Sequence, residues 1–234
     1  MSAQDQPLIE ARTIEKAFRA TQALRGVSVA IGPGEVVAIT GPSGSGKSTL
    51  LHCLAGILRP DSGEVRYAGR RIDTLDETER TLLRREHFGI LFQFGGLVPE
   101  LAAAENVALP LLLARHGREE SMTAARSWLE RLGVAECAGL RPGEMSAGQL
   151  QRVAVARALV TRPRVLFADE PTGALDTVSG EEVLALLLYA AREQGSTLVL
   201  VTHDNQIAAY ADGEIFLRDG RAASEEGARS GVRP

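Results

Sequence analysis

The sequence predicts an α/β fold built on a buried parallel sheet, and three stretches predict it. Gly41-Pro42-Ser43-Gly44-Ser45-Gly46-Lys47-Ser48-Thr49 has the form G-x-x-x-x-G-K-S and lies between a strand-like run, residues 35–40, and a helix-like run, residues 49–57. Strand, glycine-rich loop and helix in that order form the setting in which such a loop binds phosphate. Val165-Leu166-Phe167-Ala168 is a continuous apolar run too short for a helix, as suits a strand covered on both faces. Thr197 to Thr202 repeats that pattern.

Taken in order, residues 8–14 and 27–31 read as short strands joined by a turn-rich segment, a small β layer beside the loop. Phe18 lies in that segment and reads either as a core residue or as a ring able to stack on a base. After the loop, Leu50, Leu51, Leu54, Ala55 and Leu58 recur at helical spacing, and Arg59-Pro60-Asp61-Ser62-Gly63 ends the helix. Residues 64–67 form a strand that turns at Ala68-Gly69-Arg70, 78–86 a charged helix, and 87–93 a strand ending at Gln93. From Val98 to Leu140 the texture becomes alanine-rich and helical, with Trp128, Leu129 and Leu132 on one core-facing stripe. A further helix spans 146–161, with Ser146 as N-cap and Pro163 beyond its end. Residues 181–193 read as helix, 205–211 as a short helix and 214–218 as the closing strand, while 219–234 lack periodicity and read as a disordered tail.

Composition narrows the chemistry. The 234 residues suffice for one large domain. A net charge of −4 and a pI near 5.7 speak against nucleic acid as the partner. Cys53 and Cys137 are far apart and form no metal-ligand or C-x-x-C pattern, so both are expected to be reduced, inert thiols. Met1 to Leu8 lacks the basic and apolar regions of a signal peptide. No apolar run approaches the roughly 20 residues that cross a bilayer, so any membrane role is expected to come through a partner.

The loop has a definite chemistry. Glycines let the backbone close around an anion, so that successive N–H groups and the positive end of the next helix face phosphate. Lys47 is placed to reach the β and γ phosphates of a nucleotide and Ser48 to ligate Mg²⁺. A phosphate-loop hydrolase also needs carboxylates to hold the metal and the attacking water. Asp169 and Glu170 supply them at the carboxyl edge of an apolar strand, where open α/β sheets bind ligands. Asp169 would hold Mg²⁺ through water and Glu170 would polarise the nucleophile.

With these motifs in this order, the chain from about Leu8 to Arg221 resembles the ATP-binding subunit of an ABC transporter. The resemblance implies a single ABC ATPase domain over residues 1–234, with ATP and Mg²⁺ as cofactors. Its P-loop NTPase (RecA-like) core with an antiparallel β subdomain would comprise 1–95 and 162–218, and an inserted α-helical subdomain 96–161. It further implies that Phe18 stacks on adenine, that Gln93 senses Mg²⁺ and the γ phosphate, and that His203 contacts that phosphate. Asp176, in Gly173-Ala174-Leu175-Asp176, matches the loop that communicates across a dimer.

Met145-Ser146-Ala147-Gly148-Gln149 resembles the family signature Leu-Ser-Gly-Gly-Gln. In the family that signature binds the γ phosphate held by the opposite subunit. One copy is then half a site, and a homodimer or a paired ATPase subunit is implied. Ala147 departs from the signature glycine; its methyl disfavours positive φ and is expected to alter signature-side affinity or rate.

Residues 88–99 and 105–110 are similar to the branch containing macrolide exporters, lipoprotein-releasing ATPases and the cell-division ATPase FtsE. That likeness implies an FtsX- or MacB-like integral membrane permease as partner, and a cytoplasmic protein held at the inner face of the membrane through it. Three functions follow: the energising subunit of an exporter or lipid and lipoprotein extractor, an FtsE-like mechanotransmitter, or a soluble ABC ATPase. The last would call for a coiled-coil insertion or tandem cassettes, neither of which the sequence contains.

Overall fold

A computed structural model describes residues 6–93, 95–203 and 208–223. Two sheets carry the chain. The antiparallel one has strand order β2-β1-β4-β5, from β1 (Ile9–Phe18), β2 (Thr21–Ile31), β4 (Ser62–Tyr67) and β5 (Arg70–Arg71). The second has order β10-β9-β3-β8-β7-β6, from β3 (Val36–Thr40), β6 (Phe88–Leu91), β7 (Val165–Asp169), β8 (Thr197–Val201), β9 (Gly213–Arg218) and β10 (Arg221–Ala222). It is parallel from β9 to β6, and only edge strand β10 runs antiparallel.

The apolar runs that predicted buried strands are covered on both sides, and the pleat sorts them between two cores. Leu166, Ala168, Leu198 and Leu200 face one cluster, which contains α3 (Ala103–Leu113), α4 (Arg118–Arg131), α5 (Ala147–Leu159) and α6 (Thr177–Gln194). Val165, Phe167, Val199 and Val201 face the other, formed with α1 (Lys47–Leu54) and strands β1, β2 and β4. Alternate residues of β7 and β8 thereby bind the helix-rich part of the chain to the phosphate-loop part. The charged helix α2 (Glu77–His87) is closed by a capping box between Asp76 and Glu79.

Several boundaries differ from the sequence reading. The turn-rich segment between the first two strands is itself strand, a long hairpin whose register shifts between Ala11 and Ile14, Ile14 and Glu15, and Lys16 and Ala17. Bulges there interrupt the alternation from which strands are read. Helix α1 starts at Lys47 and ends at Leu54. Helix α6 begins at Thr177 because Asp176 caps it, accepting from Ser179 N at 3.0 Å. Residues 221–222 pair with β9, so order extends into the stretch read as tail. The short helix expected at 205–211 begins outside the described residues, as does the rest of that tail. Among the described residues no helix is long and apolar enough to cross a membrane.

Candidate functional site

Strand β3 delivers the loop, and two glycines shape it. Gly41 has φ +133°, and a Cβ there would lie 2.0 Å from Leu217 O. Gly46 has φ +104°, and its Cβ would lie 2.4 Å from Ala23 O, on β2. Neither position admits a side chain. Pro42, Ser43 and Gly44 stand exposed at the rim, while Ser45 and Lys47 are buried.

The loop has the character of an anion cradle. Gly46 is the N-cap of α1 and supplies no side-chain acceptor, and the first turn, Lys47-Ser48-Thr49, carries no acidic residue. The leading N–H groups of a helix lack intrahelical partners and draw an anion. Lys47 Nζ folds over the loop and donates to the carbonyls of Gly41 and Pro42, both at 2.9 Å. Ser45 Oγ is buried with no hydrogen-bond partner among the described residues. A buried hydroxyl without a partner and a buried ammonium in one loop, followed by the free amides of a helix N-terminus, fit phosphate oxygens.

Asp169 ends β7 beside the start of α1 and accepts from Ser48 Oγ at 2.9 Å through Oδ1. His52 Nε2 lies 3.7 Å from its other oxygen, Oδ2. The described residues include no cluster of three or more His, Cys, Asp or Glu. Ser48 and Asp169 bring two oxygen donors together, a set that suits an ion taking its other ligands from phosphate and water, the habit of Mg²⁺.

Glu170 has φ +44°. Its N–H donates to Val201 O on neighbouring β8 at 3.0 Å, and its carbonyl accepts from Gly173 N at 3.1 Å. Gln93 Nε2 donates to Glu170 Oε2 at 3.2 Å. His203 Nδ1 stands 3.6 Å from Oε1. The ends of β6, β7 and β8 thus bring Gln93, Glu170 and His203 together, and Glu170 and His203 line a cavity of about 290 Å³ with Leu184 and Tyr210. Arg157 of α5 anchors the loop after Gln93, donating to Gly95 O at 2.6 Å and Gly96 O at 2.8 Å. Burial pushes its guanidinium below the usual arginine range.

Phe18 is no core residue: it sits at the turn end of the β1–β2 hairpin, opposite Thr21, 46% exposed, with Lys16 Nζ 5.8 Å from its ring centre. The hydrogen bond from Lys16 draws the Asp61 carboxyl below its usual range.

Ser146–Gln149 takes no part in this cluster. Ser146 caps α5, with Gln149 N donating to its Oγ at 3.3 Å and Gln149 Oε1 accepting from Ser146 N at 2.9 Å. Ser146 and Ala147 are exposed. Ala147 is the first residue of α5 and is not among the positive-φ positions, so the strain expected of a non-glycine residue there does not arise. A Cβ on Gly148 would meet Ser179 Cβ at 3.9 Å, which sets this stretch beside Asp176 and the start of α6. Backbone and side-chain hydrogen bonds from Ser179 hold the Asp176 carboxyl below its usual range. His52 was missed in the sequence because its relation to Asp169 is one of distance, although its spacing of four from Ser48 puts both on one face of α1.

Residues 24–173 match the family model described as ABC transporter. The chain is 47% identical to the pyoverdine export ATP-binding/permease protein PvdT of Pseudomonas entomophila, over 95% of this chain and 35% of that protein. It is 45% identical to the macrolide export ATP-binding/permease protein MacB of Shigella flexneri, over 92% and 34%. With the lipoprotein-releasing system ATP-binding protein LolD of Porphyromonas gingivalis it shares 44% identity, over 93% and 100%. It thus spans about a third of the two export proteins and the whole of the lipoprotein-releasing one. A bacterial ABC transporter cassette solved as a dimer superposes with a TM-score of 0.87 at 39% identity, covering 92% of this chain and 97% of that one. A dimeric post-hydrolysis cassette bound to ADP and Pi superposes equally well, at 38% identity over the same shares.

Proposed function

This chain belongs to the ABC transporter family, and from that premise we propose that it binds and hydrolyses ATP as one of two paired ATPase subunits driving a membrane permease. The observation that carries the reading is the convergence of Lys47, Ser48, Asp169, Gln93, Glu170 and His203 on one sheet edge, while Ser146–Gln149 faces outward elsewhere. One chain then offers a phosphate cradle and, at a separate place, a helix N-terminus suited to a second chain's nucleotide.

In this mechanism the amides of 41–49 and the Lys47 ammonium bind the β and γ phosphates and stabilise charge on the transferring group. Ser48 and Asp169 would hold Mg²⁺, which supplies charge neutralisation between the phosphates. Glu170 accepts a hydrogen bond from the attacking water and aims it, with Gln93 and His203 fixing the carboxylate from either side. Phe18, exposed at the hairpin end, offers a face for adenine. Ser146, Ala147, Gly148, Gln149 and, next to them, Asp176 face the partner subunit and close its site. The export and lipoprotein-releasing names of the relatives support a permease of the MacB or FtsX kind as the partner and a place at the inner face of the membrane. Export or extraction of a drug, lipid or lipoprotein is the corresponding task.

Purified protein with ATP and Mg²⁺ is expected to hydrolyse ATP, and Glu170→Gln to bind ATP without hydrolysing it and to run as a dimer in size-exclusion chromatography. Wild-type turnover no greater than that of Glu170→Gln, or a monomer at saturating ATP, would sink the proposal. Pull-down from solubilised membranes tests the last part, with an integral membrane subunit as the expected companion and recovery with ribosomes or DNA as the contrary result.

A further inference from the structure

His52 belongs to no phosphate-loop or metal motif, yet it faces the metal-binding carboxylate. Ser48 and His52 are four residues apart on α1, and each addresses one oxygen of Asp169: Ser48 Oγ donates to Oδ1 at 2.9 Å, and His52 Nε2 stands 3.7 Å from Oδ2. The Nε2 atom is buried and has no hydrogen-bond partner among the described residues, although the side chain as a whole is 25% exposed. A buried polar nitrogen without a partner has lost water and gained nothing in return. Asp169 Oδ2 is the carboxylate oxygen it faces. Phe92, the residue before Gln93, neighbours the imidazole, with ring centroids 6.3 Å apart and planes tilted by 55°.

We infer that His52 is a positioning residue for metal–nucleotide binding: its Nε2–H donates to Asp169 Oδ2 and fixes the carboxylate through its second oxygen. A small rotation of either side chain brings the pair to the roughly 2.9 Å of a hydrogen bond. Asp169 is then held at both ends by one helix face, with Ser48 on one oxygen and His52 on the other. A carboxylate fixed in this way presents its lone pairs to the metal's hydration shell in one orientation. Partners of this outer kind typically change metal affinity by about 10–100-fold when removed. The inference rests on the proposal that Ser48 and Asp169 serve a metal–ATP complex.

A histidine that merely fills space can be replaced by leucine, whereas one that donates a hydrogen bond can be replaced by glutamine, whose amide reaches about as far as Nε2. The test uses the full chain in the Glu170→Gln background, so that ATP persists. Mn²⁺ is titrated into protein saturated with ATP and followed by the electron paramagnetic resonance of free Mn²⁺. A fluorescent ATP analogue is bound separately with the metal chelated. For His52→Leu we expect Mn²⁺ affinity to fall about tenfold while metal-free nucleotide affinity stays within about twofold, and for His52→Gln most of the Mn²⁺ affinity to return. His52→Ala replaces the leucine variant should that one not fold. The inference is overturned if leucine or alanine leaves Mn²⁺ affinity unchanged, if it weakens metal-free nucleotide by the same factor, or if glutamine restores nothing. A parent protein that binds neither nucleotide nor Mn²⁺–nucleotide would instead overturn the reading of the whole site, so the two failures are distinct.

Discussion

Replacing Arg157 by methionine tests the link between α5 and the loop that carries Gln93. The guanidinium donates to two carbonyls one residue apart, Gly95 O and Gly96 O. Methionine keeps most of the volume and loses both bonds. The bond to Gly95 O is partly buried, and hydrogen bonds to a charged group in such a place contribute about 1.5–3 kcal/mol. The bond to Gly96 O is exposed, where water substitutes and about 0.5–1 kcal/mol is at stake. Methionine also releases the cost of burying a cation, the cost that pulls the Arg157 pKa down, which trims the sum. A net loss of about 2–3 kcal/mol is expected, read as a lower urea midpoint at unchanged slope. For a domain of this size that corresponds to a fall in melting temperature of about 4–12 °C. Hydrolysis should fall further than stability alone explains, because Gln93 precedes the released loop. Arg157→Lys should recover only part of either quantity, since one ammonium does not present the fixed fork that meets two carbonyls. A methionine variant within about 0.5 kcal/mol of wild type, or a lysine variant equal to wild type, would refute the reasoning.

Gly41→Ala places a methyl at 2.0 Å from Leu217 O at a φ of +133°, so nucleotide binding is expected to be lost even where circular dichroism reports a folded chain. Ala147→Gly should bring no gain in hydrolysis, and thermal unfolding should show a slightly less stable protein, because Ala147 already occupies a helical first turn. Cys53, whose thiol burial pushes up to about 12, and buried Cys137 should resist alkylation at about pH 8 in the native protein and react at once in denaturant. Asp176 has a folded pKa below its unfolded one, so its contribution to stability is complete above the ordinary aspartate value of about 3.9 and is lost as pH falls through the lowered folded value. The gap in urea midpoint between wild type and Asp176→Ala should therefore shrink from about pH 6 towards about pH 3, and an undiminished gap at the acid end would count against the cap.

What was legible in the sequence was whatever local pattern decides. Strands β3, β7 and β8 are continuous apolar runs because helices and strands cover both faces, and that coverage leaves its mark residue by residue. The start of α5 was legible because Ser146 and Gln149 form a capping box three residues apart. The first turn of α6 was not, because Thr177, Val178, Ser179 and Gly180 are poor helix formers. The Asp176 cap holds that turn, and Thr172 lies close to Gly180, where a Cβ would meet it at 3.3 Å. Strand β10 carries no pattern at all in Arg221-Ala222 and exists because β9 offers it an edge. At the site, each motif residue was visible, while the pairings were not. Ser48 with Asp169, Gln93 with Glu170, and His52 facing Asp169 join residues far apart in the chain, and only the sheet order brings them together.

Glu170 shows how that sheet order reaches the chemistry. A non-glycine residue at φ +44°, followed by Pro171, adopts a backbone that its own preferences resist, at a cost of order 1–3 kcal/mol. Two hydrogen bonds hold it there: its N–H to Val201 O, the last residue of β8, and its carbonyl to Gly173 N across a tight turn. The first exists because β7 and β8 are in parallel register and end together, with Asp169 opposite Val201. The sheet sends Asp169 towards Ser48 on α1 and its neighbour towards Gln93 and His203, beside a cavity lined by Leu184 of the other cluster, as adjacent strand residues point to opposite faces. Alternation at the sheet edge is thus what lets two consecutive acidic residues take two different parts in the proposed site.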